Sequence, residues 1–237
     1  MAINLQKGQR IDLTKRTGTT LTQFCVGCNW GAIETYERRE VVVTEGFLGL
    51  GRKTEWQDIP IANDVDLDLS CVLIDECGRL CDHIYSPLYK PELLAKCGLP
   101  NGKLTTNNQA LKHSGDDLEG DKGGDDGLDN EIITVDLNKV PSSVSQIFFF
   151  LNNCGREDFS QIPYAKIRMY EGTATSVKEV FAQYDVAAET QYSGKRAIIM
   201  GKLYKKDNVW KFHAIGDPTE DVFVGQTILR IVESYTK

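Results

Sequence analysis

The chain has 237 residues, of which 41% are hydrophobic, and this is enough apolar material for one large β domain or two small ones. Its formal net charge is −7 and it has no basic stripe, so nucleic acid is not expected as a partner. Its longest purely apolar run, Ile147–Leu151, is too short to span a bilayer. Because the N-terminus lacks an apolar signal segment and the seven cysteines lack the spacing of a disulfide framework, we expect a cytoplasmic protein that does not itself span a membrane.

The first elements in the chain are short strands. Residues 3–13 predict two strands separated by Gly8, and Leu21–Trp30 predicts a longer one. Inside it, Cys25 and Cys28 have C-x-x-C spacing, but no second cysteine pair or histidine pair completes a zinc site. We therefore interpret both as buried strand cysteines without a metal.

Two contrasting segments follow. Residues 37–63 mix charge and glycine around a short Val41–Val43 strand, which predicts an extended hairpin or a long loop. In Asp64–Ser70, by contrast, acidic residues alternate strictly with apolar ones, and this pattern is typical of a β-strand with one carboxylate face. Carboxylates spaced by about 7 Å along one face repel each other unless a positive charge lies there. The alternative is that this face is simply solvated.

The rest of the chain continues the pattern of short strands separated by turns. A short helix is predicted at Pro91–Cys97, ended by Gly98, and helical spacing appears again only in the tail, Thr219–Tyr235. Together the elements predict an all-β fold, a β-sandwich of two mainly antiparallel sheets with short peripheral helices, forming a single domain over residues 1–237. The further strands are predicted at 79–85, 131–137, 146–151, 164–170, 180–186, 197–204 and 209–215.

One acidic segment carries all the net charge. Residues 114–131 contain eight carboxylates, five glycines and a single base, Lys122, which sum to −7, while the rest of the chain has 26 acidic and 26 basic residues. Such a run can be a solvated, mobile loop, or it can supply hard oxygen ligands on a backbone flexible enough to wrap a cation. The alternating strand Glu131–Leu137 follows at once and holds these carboxylates close together. Two carboxylates about 4 Å apart repel by roughly 1 kcal/mol in water and about 4 kcal/mol at a dielectric near 20, which favours a metal site.

Several short motifs follow one another along the chain: V-G-x-x-W at Val26–Trp30, V-D-L-D-L-S at Val65–Ser70, H-S-G-D-D at His113–Asp117, D-N-E-I-I-T-V-D-L at Asp129–Leu137, D-F-S-Q-I-P-Y-A at Asp158–Ala165 and M-G-K-L-Y at Met200–Tyr204. In this order they resemble the TerD family of tellurite-resistance and general stress proteins, and the resemblance covers nearly the whole chain. The resemblance implies a β-sandwich that binds Ca²⁺, usually two ions, in a cytoplasmic stress-response protein without established enzymatic activity.

The same resemblance implies the metal ligands. The acidic run is longer than the usual family form, by about Gly127-Leu128, so it stays open which of Asp125, Asp126 and Asp129 bind the ion. Residues 37–63 look like an insertion relative to typical members, and Cys25 and Cys28 stand where members carry aliphatic residues. The implied ligands are Asp66, Asp68, Asp116, Asp117, Asp125, Asp126, Asp129 and Glu131.

These observations favour a calcium-binding module for stress response or tellurite resistance that acts by binding rather than catalysis. A metal-assisted phosphohydrolase, or a small-molecule (nucleotide) binding protein, could use the same carboxylates. Of the three histidines only His113 adjoins the acidic segment. A third hypothesis, compatible with the first, is an interaction module for other stress-response proteins in a membrane-associated complex, with residues 37–63 touching a partner.

Overall fold

The computed structural model describes residues 3–14, 18–44, 52–187 and 190–237, and within these ranges the chain forms fourteen strands and two α-helices. The strands are β1 Ile3–Asn4, β2 Arg10–Asp12, β3 Gln23–Trp30, β4 Ile33–Thr44, β5 Lys53–Asn63, β6 Leu67–Asp75, β7 Leu80–Ile84, β8 Leu111–His113, β9 Glu131–Asp136, β10 Val144–Asn153, β11 Tyr164–Thr173, β12 Ser176–Ala187, β13 Ala197–Lys206 and β14 Val209–Thr219. The helices are α1 Pro91–Lys96 and α2 Val224–Ser234.

Twelve of the strands build two six-stranded sheets. The first sheet has the order β1-β12-β11-β3-β9-β8 and the second has the order β2-β14-β13-β10-β6-β7. Neighbouring strands run antiparallel, except that β1 pairs with β12 in parallel. The predicted all-β sandwich of two mainly antiparallel sheets with short peripheral helices is therefore confirmed.

The long strand β10 shows how the layers are packed. Its apolar residues alternate between two buried environments: Phe149 and Leu151 enter the core between the sheets, while Phe148 and Phe150 face the other way. On that outer side they pack with Ile228 and other apolar residues of α2, so β10 is buried on both faces of the second sheet. A continuous apolar run is what a strand buried on both faces requires.

The C-x-x-C pair lies on β3, as predicted, and both thiols are buried. Successive residues of a strand point to opposite faces, so residues three apart cannot share a face. Accordingly Cys28 packs in the core between the sheets, and Cys25 lies in a separate cluster with Ile132 and Tyr170. This geometry prevents the two thiols from binding one ion together.

Residues 37–63 belong to a long β4–β5 hairpin, which confirms the predicted extended hairpin, although 45–51 lie outside the described residues. The hairpin forms a two-stranded sheet of its own. Its first residue pair is Ile33 with Asn63, and the pairing continues to Thr44 with Lys53. It presents large aromatic side chains to solvent, with Tyr36 68% and Trp56 62% exposed. Among the described strands it pairs with neither main sheet, so it adds nothing to their hydrogen bonding.

In the described part of the chain, neither helix combines the length and apolarity needed to cross a membrane.

Candidate metal centre

The acidic segment, residues 114–131, is hydrogen-bonded to the sandwich at its middle. The backbone N–H of Val65 donates to the carbonyl of Glu119 at 3.0 Å, and Asp121 exchanges backbone hydrogen bonds with Trp30 and Ala32 at 2.9 and 2.8 Å. Gly120 has φ +73°, and a Cβ at this position would lie 2.6 Å from Cδ1 of the Trp30 ring. Glycine is therefore required here for the segment to approach the sheet.

Four predicted ligands meet where β6 and β9 begin, and we call them the buried carboxylate cluster: Asp66, Asp68, Asp116 and Glu131. Carboxylate oxygens of Asp68, Asp116 and Glu131 all lie within 4.8 Å of one another, as do Asp66, Asp68 and the Cys154 thiol. Asp68 is 5% exposed and Glu131 is fully buried, whereas Asp66 is half-buried and Asp116 forms the exposed rim of the cluster. Since β6 and β9 belong to different sheets, the cluster joins the two layers.

Hydrogen bonds fix the position of Glu131. Its Oε2 accepts the backbone N–H of Leu69 at 2.6 Å, and its Oε1 accepts the N–H of Asp117 at 3.2 Å. The His113 Nε2 lies 3.3 Å from the same Oε2. Because the His113 Nδ1 accepts the N–H of Gly115 at 3.1 Å, the neutral ring carries its proton on Nε2 and donates it to Glu131.

No Lys or Arg side chain in the described part of the chain forms an ion pair with the buried carboxylate cluster. Burial, followed by repulsion from Asp116, Glu157 and Asp117, raises the pKa of Asp66 to about 6. Burial likewise raises the pKa of Asp68 well above its ordinary value.

Glu131 shows the same effect of burial. The pKa of Glu131 is raised by burial despite its His113 partner. One oxygen of Asp66, Oδ1, is buried without a hydrogen-bond donor among the described residues. These carboxylates therefore have the chemistry that a divalent cation would complete.

A second group, the surface carboxylate cluster, consists of Asp121, Asp125 and Asp126, whose oxygens also lie within 4.8 Å of one another. Asp121 is oriented by side-chain donors, with the Asn29 amide at 2.9 Å and the Tyr164 hydroxyl at 3.0 Å. Asp125 differs from the buried carboxylates because it forms an ion pair with Lys166, and this contact lowers its pKa.

The remaining predicted ligands, Asp117 and Asp129, lie in neither cluster. The Oδ1 of Asp117 accepts the backbone N–H groups of Glu119 and Gly120 at 2.9 and 3.0 Å, so this side chain stabilises the turn. Asp129 accepts the Arg168 Nε at 2.8 Å with a side chain that is 1% exposed. Its pKa is nevertheless raised, because burial outweighs the attraction of Arg168.

Two residues of the site escaped the sequence analysis. Asp121 is part of the acidic run, but only its contacts with Asn29 and Tyr164 distinguish it from its acidic neighbours. The Cys154 Sγ donates to the Asp68 Oδ2 at 2.9 Å. That contact arises because β10 runs antiparallel to β6 and pairs Asn152 with Asp68, a register that no local pattern reveals.

Comparison with known proteins agrees with this architecture. The family model described as the TerD domain matches residues 1–226. Stress response protein SCP2 of Bacillus subtilis (strain 168) is 32% identical over 240 residues, covering 98% of this chain and 100% of the relative. Tellurium resistance protein TerZ of Serratia marcescens is 28% identical over 215 residues, covering 90% of this chain and 89% of that protein.

A solved structure shares the fold. It is a homologue of telluride resistance protein (TerD) from Streptomyces coelicolor A3(2), with a TM-score of 0.54 and 11% identity, covering 92% of this chain and 98% of that one. From the match of the family model over most of its length, the chain belongs to the TerD family.

Proposed function

We propose that the protein is a cytoplasmic calcium-binding module for stress response or tellurite resistance, which acts by Ca²⁺-dependent binding rather than catalysis. The observation that carries the proposal is the buried carboxylate cluster. Its four acidic side chains converge with no Lys or Arg ion pair among the described residues, and its one basic neighbour is the His113 ring. Relatives named for stress response and tellurium resistance support the biological context.

The donor set suits Ca²⁺ better than a transition metal. Ca²⁺ takes six to eight hard oxygen ligands in a flexible arrangement. Carboxylate oxygens come from Asp68 on β6, Asp66 just before it, Glu131 on β9 and Asp116 in a glycine-rich turn. A bound ion would supply the positive charge that these side chains lack. Mg²⁺ fits less well because it demands near-ideal octahedral geometry and gives up its waters reluctantly.

The surface carboxylate cluster is the proposed second site. An ion there would compete with Lys166 for Asp125, so we expect it to bind more weakly than an ion in the buried cluster. Ion binding at both clusters would hold the acidic segment in one conformation. We propose that this ordered surface contacts other stress-response proteins in a membrane-associated complex, and a pull-down with and without Ca²⁺ tests that step.

Isothermal titration of the metal-stripped protein with Ca²⁺ tests the proposal. Asp116 is exposed and accepts the Ser86 hydroxyl at 2.9 Å, so Asp116→Asn should fold and lose the tighter binding event. Asp126→Asn should lose only the weaker event. Asp185→Asn, an exposed aspartate on β12 outside both clusters, is the matched control and should bind as wild type.

The titration contradicts the proposal if wild type shows no Ca²⁺ binding, or if Asp116→Asn binds as wild type does. A parallel assay measures phosphomonoester hydrolysis with Mg²⁺ or Mn²⁺. If wild type hydrolyses the substrate and Asp116→Asn does not, the function of the cluster is metal-assisted hydrolysis rather than binding.

A further inference from the structure

A positively charged pocket, opposite in charge to the two carboxylate clusters, lies on the outer face of the second sheet between β2, β14, β13 and the end of α2. We call it the basic pocket. Its volume is about 430 Å³, within the range of small-molecule pockets. Four Lys or Arg side chains and one histidine line it against a single acidic residue, Asp217. The five basic residues are Lys7, Arg10, Lys202, His213 and Lys237.

Strand register explains why these bases are together. Arg10 on β2 pairs directly with His213 on β14, and His213 pairs with Lys202 on β13. Directly opposed residues of antiparallel strands project to the same face, so the three form one row across three adjacent strands. Arg10 and Lys202 repel each other across the row, and a bound anion would offset that cost.

The acidic residue of the pocket is already engaged. Asp217 forms an ion pair with the Lys7 Nζ at 2.5 Å and accepts the Tyr235 hydroxyl at 2.9 Å. The Arg10 side chain forms no hydrogen bond or ion pair with the residues that the structure describes, although its backbone belongs to the β2–β14 ladder. Its guanidinium therefore keeps its donors free for a ligand.

Lys202 is held in place at the inner end of the row. Its Nζ donates to the Gln146 Oε1 at 2.6 Å and to the Tyr235 carbonyl at 2.8 Å, and it lies 5.0 Å from the centre of the Phe148 ring. Burial and then repulsion from Arg10 lower the pKa of Lys202. Burial, followed by repulsion from Arg10 and Lys202, lowers the pKa of His213, although Asp217 opposes this change.

We propose that the basic pocket binds the phosphate group of a small phosphorylated molecule through Arg10, Lys202 and His213. A planar guanidinium matches two phosphate oxygens, and an ammonium fixed by other contacts supplies a point charge. The pocket has room beside the phosphate for the group that carries it. The inference goes beyond the proposed function, because none of its residues belongs to either carboxylate cluster.

The full chain is titrated with inorganic phosphate, AMP and uncharged adenosine at low ionic strength in Ca²⁺-free buffer. Wild type should bind phosphate and AMP but not adenosine. Arg10→Gln changes an exposed side chain, so the protein should stay folded and lose about tenfold to a hundredfold in affinity, the expected effect of removing charge-assisted hydrogen bonds. Lys206→Gln removes the same charge from β13 outside the pocket and should bind as wild type.

A second arm distinguishes a free phosphorylated molecule from a lipid headgroup. Sedimentation is measured with phosphatidylcholine vesicles, with and without phosphatidic acid. The phosphate group is that of a lipid headgroup if wild type binds only the vesicles with phosphatidic acid, Arg10→Gln does not bind them, and wild type does not bind AMP. The proposal is overturned if wild type binds none of the phosphate probes. It is equally overturned if a folded Arg10→Gln protein binds as wild type does, or if Lys206→Gln loses as much affinity as Arg10→Gln.

Discussion

Replacing Asp68 with asparagine separates the electrostatic cost of the buried carboxylate cluster from the stabilisation that a bound ion provides. Asparagine keeps the size of the side chain and an oxygen that accepts the Cys154 thiol, but it removes one buried negative charge. The pKa of Asp68 is raised by burial, and Glu131 and Asp116 raise it further. Asp68→Asn should therefore be more stable than wild type without metal, and less stable than wild type with Ca²⁺.

The distances set the size of the effect. Oxygens of Asp68, Asp116 and Glu131 lie within 4.8 Å of one another. At that separation two unit charges repel by about 3.5 kcal/mol at a dielectric of 20 and by about 0.9 kcal/mol in bulk water. Protons bound to Asp68 and Glu131, whose pKa values are raised, relieve part of the repulsion, so we expect metal-free Asp68→Asn to gain about 1–2 kcal/mol. For a chain of this length that raises the melting temperature by about 2–8 °C.

Thermal unfolding followed by circular dichroism at neutral pH and low ionic strength, with a chelator or with Ca²⁺, measures both effects. Wild type should gain about 2.7 kcal/mol at a hundredfold excess of Ca²⁺ over Kd, whereas Asp68→Asn should gain little. Asp185→Asn removes the same charge from an exposed site and should follow wild type in both conditions. The reasoning is refuted if metal-free Asp68→Asn melts below wild type, or if it keeps the full Ca²⁺ shift.

Three further predictions concern the same molecule. Burial raises the pKa of Asp66 to about 6, above the ordinary value of about 3.9, so the contribution of Asp66 to metal-free stability should fall as pH rises from about 4 to about 6, while Ca²⁺ affinity rises. Unfolding of wild type and Asp66→Asn, together with Ca²⁺ titration across that range, measures both trends, and a reversal of either would contradict the prediction. His113→Ala removes the donor that orients Glu131, and titration should show Ca²⁺ affinity about tenfold to a hundredfold lower, an effect absent if the ring only fills space. Replacing residues 37–59 with a short Gly-Ser linker keeps the Tyr36–Pro60 pair and should leave a soluble, Ca²⁺-binding protein; an insoluble product would mean that the hairpin supports a main sheet.

Local sequence patterns were sufficient to predict most of the strands of the sandwich. The turn between β13 and β14 is an example, because Asp207 and Asn208 both adopt positive φ, at 52° and 63°, as a two-residue hairpin requires, and Asp-Asn is a sequence suited to it. The helical spacing of the tail likewise predicted α2, although the helix itself occupies only Val224–Ser234. Such features depend on residues close in the chain, and a single sequence displays them directly.

The carboxylate face predicted for residues 64–70 was partly wrong. Asp68 and Ser70 lie on β6 but are buried, so the solvated-face alternative is wrong for them. Asp64 lies before the strand and forms an ion pair with Lys122 at 3.0 Å. The alternation identified the strand, but not that its second face is covered by another layer.

The partners of the acidic segment depend on sheet order, which no local pattern encodes. The alternation of β11 placed Lys166 and Arg168 on its polar side, but only the pairing of β11 with β3 brings Arg168 opposite Gly27. A Cβ at Gly27 would lie 2.1 Å from Oδ2 of Asp129. The glycine thus leaves the space in which Asp129 reaches Arg168 across the intervening strand.

The position of the buried carboxylate cluster determines what an ion can do to the fold. Asp68 stands on the second sheet and Glu131 on the first, and the N–H of Leu69 already joins the two strands through the Glu131 carboxylate. This bond and the apolar core between the sheets do not depend on metal, so ion loss should loosen the acidic segment rather than unfold the sandwich. A bound cation would add a second link across the same gap and offset the repulsion among the carboxylates. The acidic segment is therefore the part of the molecule whose conformation Ca²⁺ can control.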